Sequence, residues 1–212
     1  MARIKADVRR EEILRATCRE VVAHGFASTR VRDVANALGV SSGLVFYHFA
    51  SKENLLGEAF RHAAEEHLDG LAATAAGGGS ALERLDRILR LYFPAGSSAA
   101  WMLWIDAWSQ ALRDPELAKI SRQLDLRWKQ TMAAVIGEGV AAGEFTCPDP
   151  DATAWRLTAL LDGLGVQVTV HKVATNGRLL DWVRTVAAAE LGLDPGALAR
   201  AERDGAAARS RR

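Results

Sequence analysis

Cysteine is almost missing from this 212-residue chain: Cys18 and Cys147 stand far apart, and neither belongs to a CxxC or Cys/His spacing. That argues against a disulfide framework and a thiolate metal site, and it predicts two buried free thiols. No window reaches the ~18 apolar residues of a membrane-spanning helix. The basic start MARIKADVRREEILRA has no apolar run behind it, which argues against a secretory signal. A cytoplasmic protein without membrane association is expected. Alternation of apolar and polar residues at period two is missing as well, so strands are not expected. Nucleophile elbow, metal-ligand spacing, phosphate-cradling glycine loop and cofactor fingerprint are all wanting; GGGS at 77–80 reads as a linker. No catalytic residue, metal or cofactor is expected.

What the chain does have is apolar spacing at three and four, as in Ile13, Ala16, Thr17 and Val21 or Leu82, Leu85, Ile88, Leu89 and Tyr92. Ser80 with Glu83 spells a capping box, and Asp114-Pro115, Asp149-Pro150 and Asp194-Pro195 each set a carboxylate before a proline at a helix start. The prediction is an all-α fold with about nine helices, near 7–24, 31–38, 42–48, 52–75, 80–93, 97–112, 115–142, 150–171 and 177–191. Three regions are expected: a helix-turn-helix domain at 1–52, a helical ligand-binding and dimerisation domain at 53–194, and a basic, disordered tail at 195–212. Charge follows a similar division. Residues 1–52 hold nine Lys/Arg against five Asp/Glu, 53–196 hold thirteen against nineteen, and 197–212 hold five against two, so only the ends are basic. A basic end suits a polyanion-facing surface or a solvated face.

The stretch "VRDVANALGVSSGLVFYHF" contains a short helix, a turn and a second short helix. Ala35 permits close helix approach, Gly39 suits a left-handed turn, and Val34, Leu38, Val40 and Val45 supply a small core. Ser42, Gly43, Phe46 and Tyr47 then face outward, with His48 at the helix end. Short polar and aromatic side chains of this kind can enter a major groove and meet base edges and thymine methyls. Phe49 is expected to pack inward.

From Gly25-Phe26 through "VRDVANALGVSSGLVFYHF" to "ASKENLL", over roughly residues 10–60, the chain resembles the tetracycline-repressor (TetR) family. The resemblance implies base reading by Arg32, Ser42, Gly43, Phe46 and Tyr47, and phosphate contacts from Thr29, Ser41, His48 and Lys52. Two positions depart from the family pattern. Arg30 stands where Ser or Thr usually caps the first motif helix, and Leu44 replaces a threonine that would reach a phosphate. Arg30 is expected to supply the phosphate contact that Leu44 cannot.

In the longer C-terminal part Trp101, Trp104 and Trp108 share one face of a helix, and Trp128 and Trp155 follow on later helices. Such rings either fill a core or line a pocket for a planar or cationic ligand. Trp101, Trp104, Trp108 and Trp128 are therefore candidate ligand contacts for an unknown small-molecule effector, with Asp106, Gln110, Gln167 and His171 as polar partners. Asp106 could receive a ligand cation, or pair with Arg113 or Arg127. The helices at 150–171 and 177–191 resemble the homodimer face of the family, and residues 114–167 further resemble the ligand domain of choline- and betaine-responsive repressors, which does not fix the ligand.

The expected function is a ligand-responsive regulator, most simply a repressor, that binds a palindromic operator in double-stranded DNA as a homodimer and is released by its effector. A helical enzyme working in the tryptophan-lined region with Asp106, His171 or Glu side chains is the alternative. A dimeric partner-binding protein that has lost DNA binding would predict a damaged motif, and the motif departs only at Arg30 and Leu44.

Overall fold

The computed structural model describes residues 2–92, 99–173 and 175–201. The elements are α1 (Ala2–His24), α2 (Val31–Leu38), α3 (Ser42–His48), α4 (Lys52–Ala75), α5 (Ala81–Tyr92), α6 (Ala99–Ala111), α7 (Pro115–Ala141), α8 (Pro150–Val166), a π-helical turn (Gln167–His171) and α9 (Asn176–Glu190). Among the described residues all regular structure is helical, as the period of three and four predicts.

Local signals set most helix starts. Ser80 and Glu83 form the reciprocal capping box: the Ser80 N–H donates to the Glu83 carboxylate at 3.0 Å, and the Glu83 N–H donates to Ser80 Oγ at 3.1 Å. Glu144, far along the chain, accepts from the next two donors, Ala81 N–H at 3.1 Å and Leu82 N–H at 3.0 Å. The Asp114 carboxylate accepts from the Glu116 and Leu117 amides, and Asp149 accepts from Ala152 N–H at 2.9 Å. Gly39 ends α2 at φ 65°, in the left-handed region that glycine enters without penalty.

Two expectations need correction. The single helix expected over 150–171 widens after Val166 into the π turn and stops at Lys172 with φ 54°. Four of the five residues 166–170 are β-branched, and their crowding against the preceding turn disfavours regular α geometry. The tail expected from 195 does not begin there: residues 197–201 form a helical turn with Ala197 and Leu198 buried, because Leu198 carries an apolar side chain inward. Residues 202–212 lie outside the described residues.

The chain forms two compact units, one of residues 1–67 and 98–124, the other of residues 68–97 and 125–212. The first has a core of Ile13, Leu14, Ala16, Val34, Ala35, Val45, Phe49, Leu55 and Ala59, on which α1, α2 and α3 are fixed. The second buries Leu85, Ile88 and Leu89 of α5, Leu157 and Leu161 of α8, and Leu179 and Val183 of α9. Between α5 and α9 lies an ionic core. Arg184 donates from Nε to Asp86 Oδ1 at 2.8 Å, a second guanidinium nitrogen lies 2.8 Å from the same oxygen, and Arg90 sits 3.1 Å from the other. The Asp86 side chain is 1% exposed. Among the described residues no helix is long and apolar enough to cross a membrane.

Candidate nucleic-acid interface and ligand-facing residues

The α3 helix is pinned from beneath by Val45 and Phe49, each 1% exposed, while Phe46 and Tyr47 project at 50% and 80% exposure. Aromatic rings of that size are normally covered, so two adjacent ones standing in solvent on a braced seven-residue helix mark a contact surface. Ser41 caps α3 by accepting from Leu44 N–H at 3.2 Å, which leaves its hydroxyl proton available. Gly43 is exposed, Ser42 and His48 are half-buried, and the His48 ring stands edge-on to Tyr47 at 5.2 Å. Arg30 and Arg32 are exposed at the start of α2, and Arg30 holds the cap position with no capping bond from its side chain. Lys52 donates one Nζ proton to Ala27 O at 3.0 Å, and two remain for an anion.

Thr29 does not fit its expected phosphate role. It is 2% exposed, and its hydroxyl donates back to Gly25 O at 2.8 Å, so it braces the turn between α1 and α2.

The tryptophans of α6 gather in the first unit. Trp108 lies 6.1 Å from Trp101 and 5.8 Å from Trp104, and Trp104 meets Phe60 of α4 edge-on at 4.8 Å. Phe60 in turn meets Phe26 at 6.3 Å. Asp106, on the same helix, accepts the Phe26 N–H at 2.6 Å across 80 residues of sequence. Its carboxylate thus ties α6 to the α1–α2 turn, where Gly25 at φ 83° leaves room: a Cβ there would stand 3.3 Å from Asp106 Oδ2. This contact, and neither of the arginine pairs considered from the sequence, is what holds Asp106.

Gln110 is half-buried on α6, whereas Gln167 and His171 lie exposed on the π turn. Trp128 belongs to the second unit and meets the Tyr92 ring edge-on at 4.9 Å. Around it lies a polar group that sequence reasoning missed. The Tyr92 hydroxyl donates to Asp162 in a very short hydrogen bond. Lys129 pairs with Asp125 at 2.5 Å and sits 4.0 Å over the Trp155 ring. Burial pushes the Asp162 carboxyl up to about 6, Asp125 pushes the same way, and the Tyr92 bond and Lys129 oppose them. Burial also raises the Tyr92 phenol. The sequence carried one available signal: Asp125, Trp128 and Lys129 recur at three and four on one face of α7.

A braced helix-turn-helix followed by a larger helical part defines a DNA-binding transcriptional regulator. The chain belongs to the TetR family: residues 13–59 match the family described as bacterial regulatory proteins, tetR family, and residues 81–192 match the BetI-type transcriptional repressor C-terminal family. The HTH-type transcriptional regulator BetI of Stenotrophomonas maltophilia (strain R551-3) is 30% identical over 162 residues, which cover 74% of this chain and 79% of that protein. A protein of Saccharomonospora viridis, described as a transcriptional regulator and solved in complex with choline, shares 31% identity with TM-score 0.77, over 84% of this chain and 94% of its own. A protein of Rhodococcus sp., described as a TetR-family regulator, shares 28% with TM-score 0.71, over 82% and 96%. These relatives are regulators and not enzymes, and the enzymatic alternative falls with them.

Proposed function

We propose that the chain is a repressor that holds a palindromic operator as a homodimer in the cytoplasm and lets go when a small quaternary-ammonium effector binds. The observation that carries DNA reading is the exposed Phe46–Tyr47 pair on the braced α3. With Arg32, Ser42 and Gly43 it reads bases, while Arg30, Ser41, His48 and Lys52 meet phosphates. Dimerisation is supported by an apolar face on the last helices: Trp155 and Trp182 remain 53% and 45% exposed, with Val170, Val173 and Val186 also uncovered. A two-fold dimer sets two α3 helices about 34–36 Å apart, one turn of DNA. The effector class is supported by the likeness to the choline-bound regulator. Among the contacts expected from the sequence, Trp101, Trp104, Trp108 and Gln110 on α6, with Asp106, fit transmission toward the reading helices better than direct capture, because Asp106 reaches the α1–α2 turn.

Selection of fragments from the source genome by the purified protein tests this reading. Enrichment of a palindrome is the expected result, and an unenriched pool from effector-stripped protein refutes it. Arg30→Ala should weaken binding evenly across DNA sequences and flatten the slope of log affinity against log salt by about one unit. An unchanged slope removes Arg30 from the phosphate set.

A further inference from the structure

Gly43 is a glycine that the fold does not need. It lies within α3 at an ordinary negative φ, so no turn calls for it. Beyond its chain neighbours, a Cβ there would meet only Ser41 Oγ at 3.7 Å, which is ordinary van der Waals contact. Alanine would fit, and it favours a helix more than glycine does. A side chain left off an exposed helix face that has room for one points outside the chain: a partner comes closer than a methyl group would allow.

Gly43, Phe46 and Tyr47 stand at i, i+3 and i+4, so they share one face of α3. Helical side chains lean back over the turn before them, which brings the two rings to either side of the bare Gly43 backbone. No atom of either ring lies within 4 Å of the missing Cβ, so space stays open between them. Together they make a shallow bay with a backbone floor and aromatic walls, on the helix that Val45 and Phe49 brace from beneath. The walls offer no charge to a phosphate, and the Phe46 ring has no hydrogen-bonding group for a base edge. Among the groups that bases present in the major groove, the apolar one is the C5-methyl of thymine.

Resting on the DNA-reading role of α3 proposed above, we propose that this bay takes the C5-methyl of one thymine in each half-site of the operator. Position 43 lets the base edge come close, and the Phe46 ring covers the methyl group. Recognition at that base therefore rests on the methyl and is indifferent to the hydrogen-bonding group beside it. 5-Methylcytosine carries the same methyl next to an amino group, where thymine has O4. It should be accepted in place of thymine, whereas uracil and unmodified cytosine should both be disfavoured.

Fluorescence anisotropy of the full chain on its selected palindrome tests the bay, with deoxyuridine replacing thymine at one symmetric pair of positions at a time. At one pair the loss of both methyl groups should lower affinity by roughly fifteenfold, about fourfold for each. At the same pair 5-methylcytosine opposite guanine should outbind cytosine opposite guanine by a similar factor. Phe46→Ala should hold the thymine and uracil operators equally at that pair, with its fold checked by circular dichroism. Gly43→Ala should unfold at no lower temperature than wild type, because its methyl finds room and alanine suits the helix. It should nonetheless bind the operator roughly tenfold or more weakly and lose the methyl preference. A palindrome with no pair sensitive to loss of the methyl overturns the proposal. So does a folded Phe46→Ala protein that keeps the preference, or a Gly43→Ala protein with wild-type affinity. Each of these leaves the regulator reading standing, because the palindrome is still selected. Selection of no palindrome by effector-stripped protein refutes that reading and the bay together.

Discussion

Asp86→Ala is expected to lower the unfolding free energy by roughly 3–5 kcal/mol, the cost of removing one partner from a buried ion pair. The loss takes from Arg184, 9% exposed, a buried carboxylate 2.8 Å away, whereas the solvent-exposed Asp181 lies 3.9 Å from its guanidinium. The Asp86–Arg184 pair joins α5 to α9, so the loss should loosen the helices that carry the proposed dimer face. Urea denaturation measures the effect, and Asp86→Asn separates charge from shape: it keeps an acceptor oxygen but removes the buried negative charge. A loss below about 1 kcal/mol for Asp86→Ala would mean that water or Asp181 takes over the guanidinium.

Asp106→Ala is expected to cost about 1–3 kcal/mol, because it removes a charged acceptor and leaves the partly buried Phe26 N–H without a partner. Hydrogen exchange at Phe26 should speed up selectively, ahead of amides in the α1–α3 core. The variant should also weaken operator binding, since the α1–α2 turn positions the helices that read DNA. Asp106→Asn, with one acceptor oxygen in the same place, should recover most of both effects. Unaltered exchange at Phe26 in the alanine variant would remove Asp106 from the connection between α6 and the reading unit. In wild type this bond fastens the tryptophan-bearing α6 to the α1–α2 turn within the first unit.

The helix-turn-helix was legible because each of its determinants is local. Gly39, Ser41 and the apolar spacing of Val34, Val45 and Phe49 define α2 and α3 within twenty residues, and their bounds agree with the structure. The capping box at Ser80 was equally local. What stayed hidden are bonds between residues distant in the chain: Phe26 to Asp106, Tyr92 to Asp162, and Asp86 to Arg184 across 98 positions. Periodicity tells which side of a helix is apolar but not which helix it meets, so nothing in the sequence pairs Asp86 with Arg184. The phosphate role of Thr29 came from the family resemblance, and the structure instead turns its hydroxyl inward to Gly25 O, four residues back in the α1–α2 turn. Tryptophan spacing points to α6, whereas the buried polar group joins a tyrosine at the end of α5 to an aspartate on α8, positions that no spacing connects.

The central claim is that α3 reads DNA under control of a bound cation. Fluorescence anisotropy of the purified protein on its selected palindrome and on a scrambled duplex, with and without saturating choline and at two salt concentrations, tests it most directly. The expected result is at least ~10³-fold preference for the palindrome, a steep loss of affinity with salt, and release by choline. Equal affinity for palindrome and scrambled DNA, or a palindrome held as firmly in choline as without it, would contradict it.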